Sequence, residues 1–116
     1  MLPSCPDSPN CVSSRATRPS QQVASFAFTG PADAAQQRLL RLIEQDRNAT
    51  VVDARQGWIA VEFRSRVFGF IDDLRFELDA TAGVFQVQSG SRTGYWDLGV
   101  NRRRVEALRA KFNAGG

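Results

Sequence analysis

IDDLRFELDATAGVFQVQS, residues 71–89, decides the fold. Leu74, Phe76 and Leu78 alternate with Asp73, Arg75, Glu77 and Asp79. After a turn at Ala80 to Gly83, Phe85 and Val87 alternate with Gln86 and Gln88. A period of two means extended chain, and two such runs across a tight turn form an antiparallel hairpin with one apolar and one wet face. The segment before it continues the pattern. WIAVEFRSRV (58–67) puts Ile59, Val61 and Phe63 on one face and Glu62, Arg64 and Arg66 on the other. The short TVVDA (50–54) precedes it across a Gln56–Gly57 turn.

Upstream, VASFAF (23–28) alternates and reads as a further strand. In TGPADAAQQRLLRLIEQD (29–46) the period changes to that of a helix. Thr29 or Gly30 is placed to cap it, Pro31 suits its first turn, and Asp33 complements its dipole. Its apolar stripe is Ala32, Ala35, Leu39, Leu42 and Ile43. A second helix is expected over 100–113, with Val105, Leu108 and Phe112 inward. Residues 1–22, rich in Pro, Ser, Asn and Gln, read as an irregular arm ahead of one domain at 23–116. The order β-α-β-β-β-β-α predicts an α+β fold: an antiparallel sheet of four to five strands with both helices on its apolar face.

At 116 residues, a single domain buries about two-thirds of the surface that its unfolded chain exposes. Of the 15 basic residues all but Lys111 are arginine, and the net charge of +3 suits an acidic partner. Basic and acidic residues are interleaved rather than striped, which argues against nucleic acid. With no histidine, the chain cannot build a Ser-His-Asp or Cys-His catalytic site. No apolar run reaches the roughly 20 residues of a membrane span. No apolar signal region precedes Cys5. The chain as it stands therefore reads as cytoplasmic, or as periplasmic or exported if a leader has been removed.

Four groups carry candidate chemistry. In SGSRTGYWDLGVNRRR (89–104), Asn101 is placed to cap the last helix, so that Arg102, Arg103 and Arg104 fill a first turn whose dipole repels cations. The compensation is internal, with Arg102 tied to Asp97 or Asp72, or external, an anion at the helix start. The third alternative is a solvated run. Adjacent carboxylates in a strand point to opposite faces, which puts Asp72 inward, where Arg92 or one of Arg102 to Arg104 can neutralise it; the alternative is that Asp72 and Asp73 both sit at the strand's exposed start. Tyr95 and Trp96 either plug the core or wall a pocket beside Arg92. In CPDSPNC, Cys5 and Cys11 either close a disulfide, remain free thiols or serve redox chemistry, and they are too few for a structural zinc.

CPDSPNCVSS, FRSRVFGFIDDLRFELD and SGSRTGYWDLGVNRRRVEALR together resemble the bacterial and plant family called domain of unknown function 1499, over nearly the whole chain. The resemblance places Cys5, Cys11, Asp72, Asp73, Ser91, Arg92, Gly94, Asp97, Gly99, Asn101 and Arg102 in recurring motifs and implies no activity. Members often carry a histidine after the Cys motif, where this chain has RATRPSQQV, and some carry export or plastid-targeting segments. The element order is also similar to helix-grip and TATA-binding-protein-like architectures, a likeness that carries no function.

The reading these features support is a non-enzymatic binding or accessory domain without a cofactor or metal. It would take an anionic small molecule or acidic protein near Arg92, Tyr95, Asp97, Asn101, Arg102, Asp72 and Asp73. The alternative is a histidine-independent hydrolase with Asp72 or Asp97 as base and Arg92 or Arg102 stabilising an anion.

Overall fold

The computed structural model describes residues 1–65 and 69–115. The 58–67 strand ends at Arg64; the expected Arg66 and Val67 lie outside the described residues. The elements are β1 (Cys11–Ser13), a 3-10 turn (Pro19–Gln21), β2 (Phe26–Ala27), α1 (Ala32–Glu44), β3 (Ala49–Arg55), β4 (Trp58–Arg64), β5 (Ile71–Asp79), β6 (Val84–Ser91) and α2 (Val100–Asn113).

The sheet is antiparallel with six strands. Strands β3, β4, β5 and β6 form a meander, and β1 and β2 pair in succession along the free edge of β6. Leu74 stands opposite Val61 and Ser89, and Phe76 opposite Ile59 and Val87, so the apolar side chains stack in rows across the strands. These rows are buried together with Leu39 and Ile43 of α1 and Val105 and Phe112 of α2, so both helices cover one face. Phe26 packs edge-on against Phe76, with ring centroids 5.0 Å apart, and also meets Phe112 at 5.6 Å. Among the described residues, no helix is long and apolar enough to cross a membrane.

Three details differ from the sequence reading. The arm contributes the sixth strand: Val12 enters the core opposite Ser89, while Cys11 and Ser13 point to the other face. Three residues are too short a run for alternation to reveal. Helix α1 has Pro31 at its N-cap and no side-chain cap, with Gly30 turning the chain at φ 77°. The wet face is also partly covered by the N-terminal segment. Gln88 there is buried and donates to the Pro3 carbonyl, and the amino terminus pairs with Glu77 at 3.2 Å.

Candidate functional site

The two adjacent carboxylates of β5 serve opposite faces, as strand geometry requires. Asp72 lies toward α2 and accepts from Arg104 Nη2 at 2.9 Å, the two side chains being only 14% and 17% exposed. Asp73 lies on the outer face and takes a two-pronged bond from Arg92 at 3.0 and 2.9 Å. Arg92 also donates to Glu62 at 2.6 Å. Asp73 first, then Glu62, hold the Arg92 guanidinium protonated well above its ordinary range. Asp72 and Arg92 therefore lie on different faces of the sheet.

The arginine run begins deeper in α2 than the sequence suggested. Gly99, at φ 78°, is the N-cap. Asn101 is the second residue of the helix and is fully buried. The dipole penalty falls off within one turn, so only Arg102 meets much of it. The expectation that Arg102 binds Asp97 or Asp72 is corrected: it donates to the carbonyls of Gln22 at 2.8 Å and Ser20 at 2.9 Å. The apolar stripe of α2 runs through Val105 and Phe112. Residues 102 and 104 flank that stripe on opposite sides, because neighbours differ by about 100°. The carboxylate stands on the flank of Arg104 and the arm on that of Arg102. Arg103 points outward and donates to the Leu98 carbonyl at 2.8 Å.

Asp97 supplies the counter-charge at the helix start by another route. Its carboxylate accepts from the N–H of Gly99 (2.8 Å), the N–H of Asn101 (3.0 Å) and the Asn101 side-chain amide (2.8 Å). Partial burial pushes its pKa up, but these donors outweigh it and hold the carboxyl below the usual range. Asn101 joins four segments. Its oxygen accepts from Ser89 Oγ at 2.6 Å and Arg104 Nη1 at 2.9 Å. Its amide also donates to the Asn10 carbonyl at 3.2 Å and Ser91 Oγ at 3.0 Å. Asn10 in turn donates to the Gly94 carbonyl, which ties the arm to the β6–α2 loop.

The arm is closed by a Cys5–Cys11 disulfide, with Cα atoms 5.7 Å apart. Gly90, opposite Cys11, leaves the room: a Cβ there would come within 3.2 Å of the Cys11 sulfur. Tyr95 and Trp96 do not plug the core. Each is 69% exposed, as is Leu98 at 65%.

Beside this network lies an open groove of about 750 Å3 between the end of α1, the end of β4 and the outer flank of α2. Phe63 lines it, with the Arg104 guanidinium stacked 4.5 Å over its ring. Five cations reach it: Arg47, Arg64, Arg103, Arg104 and Lys111. Its two carboxylates are both engaged, Asp72 by Arg104 and Asp46 by the N–H of Asn48. Among the described residues, Arg47, Arg64, Arg103 and Lys111 pair with no carboxylate. Of the residues singled out in the sequence, Asp72, Arg103 and Arg104 line this groove. Arg92, Tyr95, Asp97, Asn101 and Arg102 do not. The spacing 104, 108, 111 marks one face of α2 and points to Lys111. Nothing in the sequence points to Arg47, which reaches the groove only through the packing of α1 against α2.

Fold and site define a two-layer α+β domain with a hydrogen-bonded arm, a disulfide and a cationic groove. The chain belongs to the family described as protein of unknown function (DUF1499), whose model matches residues 1–112. No curated protein and no solved structure matches the chain.

Proposed function

We propose that this domain is a non-enzymatic binding module that takes an anionic small molecule or the acidic group of a partner in the groove beside the β6–α2 loop. The observation that carries this reading is the charge of the groove: with Arg104 and Asp72 paired to each other, Arg47, Arg64, Arg103 and Lys111 face a single further carboxylate among the described residues, Asp46. Guanidinium groups offer planar forks to phosphate or carboxylate, and Lys111 adds a point charge. A binding role also suits the acids. Asp72 is held by Arg104; Asp97 is held by three N–H donors that keep its carboxyl below the usual range, which makes it a weak general base. Arg92 and Arg102, paired inside the fold, serve as scaffold in this reading.

The test is thermal denaturation with inorganic phosphate, pyrophosphate and citrate. A ligand at 100 times its Kd stabilises by about 2.7 kcal/mol. At least one anion should raise the melting temperature of the wild type, fail to raise that of Arg47→Ala/Lys111→Ala, and still raise that of Arg92→Ala. A response equal in all three proteins, or none in the wild type, rejects the groove as the site.

A further inference from the structure

The β6–α2 loop exposes Tyr95, Trp96, Leu98 and, at the first residue of α2, Val100. Four large apolar side chains within six residues form a ridge, where scattered single residues would need no explanation. The acid in their midst, Asp97, turns its carboxylate inward onto the Gly99 and Asn101 N–H groups, so the ridge presents no carboxylate of its own. Leu98 is held at φ 58°, a left-handed conformation that a bulky residue rarely adopts. Its carbonyl is gripped by Arg103, and the N–H that follows it is gripped by Asp97. These bonds hold the turn at Leu98 and Gly99, between the aromatics and Val100.

Ridge and groove meet: Val100 belongs to both, and Arg103 of the groove bonds the Leu98 carbonyl of the ridge. This decides among occupants. A second copy of the chain would set this cationic surface against its own duplicate, like charge against like. A small soluble anion would fill the groove and leave the aromatic ridge unused. An anionic bilayer surface uses both parts. Tyr and Trp settle at the headgroup level, where one end of the ring is wet and the other apolar, while Arg and Lys meet the phosphates.

We propose that the ridge and groove form one surface that docks on anionic lipid, with Tyr95, Trp96 and Leu98 entering the bilayer interface and the groove cations holding a phosphodiester headgroup. This rests on the anion-binding reading of the groove.

The experiment is co-sedimentation of the full chain with vesicles of phosphatidylcholine alone and of an equimolar mixture with phosphatidylglycerol. Soluble sn-glycerol 3-phosphate and polyglutamate serve as separate probes. Binding to the mixed vesicles alone is expected, and it should weaken as salt is raised. It should fall by about tenfold or more in Tyr95→Ser/Trp96→Ser/Leu98→Ser, because affinity scales with the apolar area inserted. That variant alters only exposed side chains, and an unchanged melting temperature verifies its fold. Equal binding by the variant overturns insertion of the ridge. Glycerol phosphate bound in the groove with no vesicle binding overturns lipid docking and leaves the anion site standing. Polyglutamate bound without vesicles overturns it in favour of an acidic protein. Failure of every probe overturns lipid docking; the anion reading falls with it only if phosphate, pyrophosphate and citrate also leave the melting temperature unchanged.

Discussion

Replacing Arg104 by Ala should cost far more stability than replacing either neighbour. Three interactions are lost together. Asp72, 14% exposed, is left without its cation. Asn101 loses the donor at 2.9 Å to its buried oxygen. Phe63 loses the guanidinium stacked 4.5 Å above it, a contact worth about 0.5–1 kcal/mol. Breaking a fully buried pair costs about 3–5 kcal/mol. The open groove lets water reach Asp72, which lowers that figure, so the total expected is about 2–4 kcal/mol. Arg102→Ala removes two bonds to carbonyls at an exposed site and should cost about 1 kcal/mol. Arg103→Ala should change stability by about 0.5 kcal/mol or less. Arg104→Lys keeps the charge but cannot span Asp72 and Asn101 with two nitrogens, so it should recover only part of the loss. Removing Asp72 as well relieves the stranded carboxylate. The double variant should therefore lose less than the sum of the single losses, by about 1 kcal/mol. Urea denaturation in phosphate-free buffer measures all of these variants, together with Asp72→Ala alone. Equal losses for Arg103→Ala and Arg104→Ala, or strict additivity with Asp72→Ala, would refute the claim that the run is anchored through its third member.

Three further outcomes are expected. Because the Asp97 carboxyl is held below its unfolded value of about 3.9, its contribution is present above that pH and is lost as pH falls through the folded value. Asp97→Asn should therefore flatten the loss of stability below about pH 4, as measured by denaturation at a series of pH values. Leu98→Asn should hold stability within about 0.5 kcal/mol or raise it, since Asn tolerates the left-handed region and the leucine side chain is solvent-exposed; a melting curve checks this. Reducing Cys5–Cys11 should remove about 2 kcal/mol. Hydrogen exchange should then show residues 1–10 loosened and β1 still paired with β6, since Val12 remains packed in the core.

Strands β4, β5 and β6 and both helices were legible because each carries its own period over seven or more residues. Strand β1 was not, because its assignment depends on Val12 meeting the core from the far side of β6. Of the strand expected over 23–28, only Phe26 and Ala27 pair as β2. Alternation put Asp72 and Asp73 on opposite faces but left open whether both sit at an exposed strand start; the structure decides this, with Asp72 largely buried and paired with Arg104. The choice among three adjacent arginines failed for a geometric reason. Sequence gives the angle between side chains, but the flank on which a carboxylate waits depends on the tilt of α2 across the sheet. Placing the N-cap at Asn101 instead of Gly99 compounded the error, and it also hid that a buried asparagine joins the arm, β6 and the loop. The groove was the least legible feature. Arg47, Arg64 and Lys111 are far apart in the chain, and only the packing of α1 and α2 over β4 brings them to one opening.

The central claim is that this groove is the anion site, and mapping amide shifts tests it most directly. Titrating inorganic phosphate, pyrophosphate and citrate into isotope-labelled protein should move the backbone signals of Arg47, Asn48, Arg64, Val100, Arg103 and Lys111 in a saturable way. The signals of Arg75, Glu77 and Gln86 on the opposite face should stay fixed. Shifts that gather around Arg92 on that outer face, or no saturable shift with any of the three anions, would contradict the account.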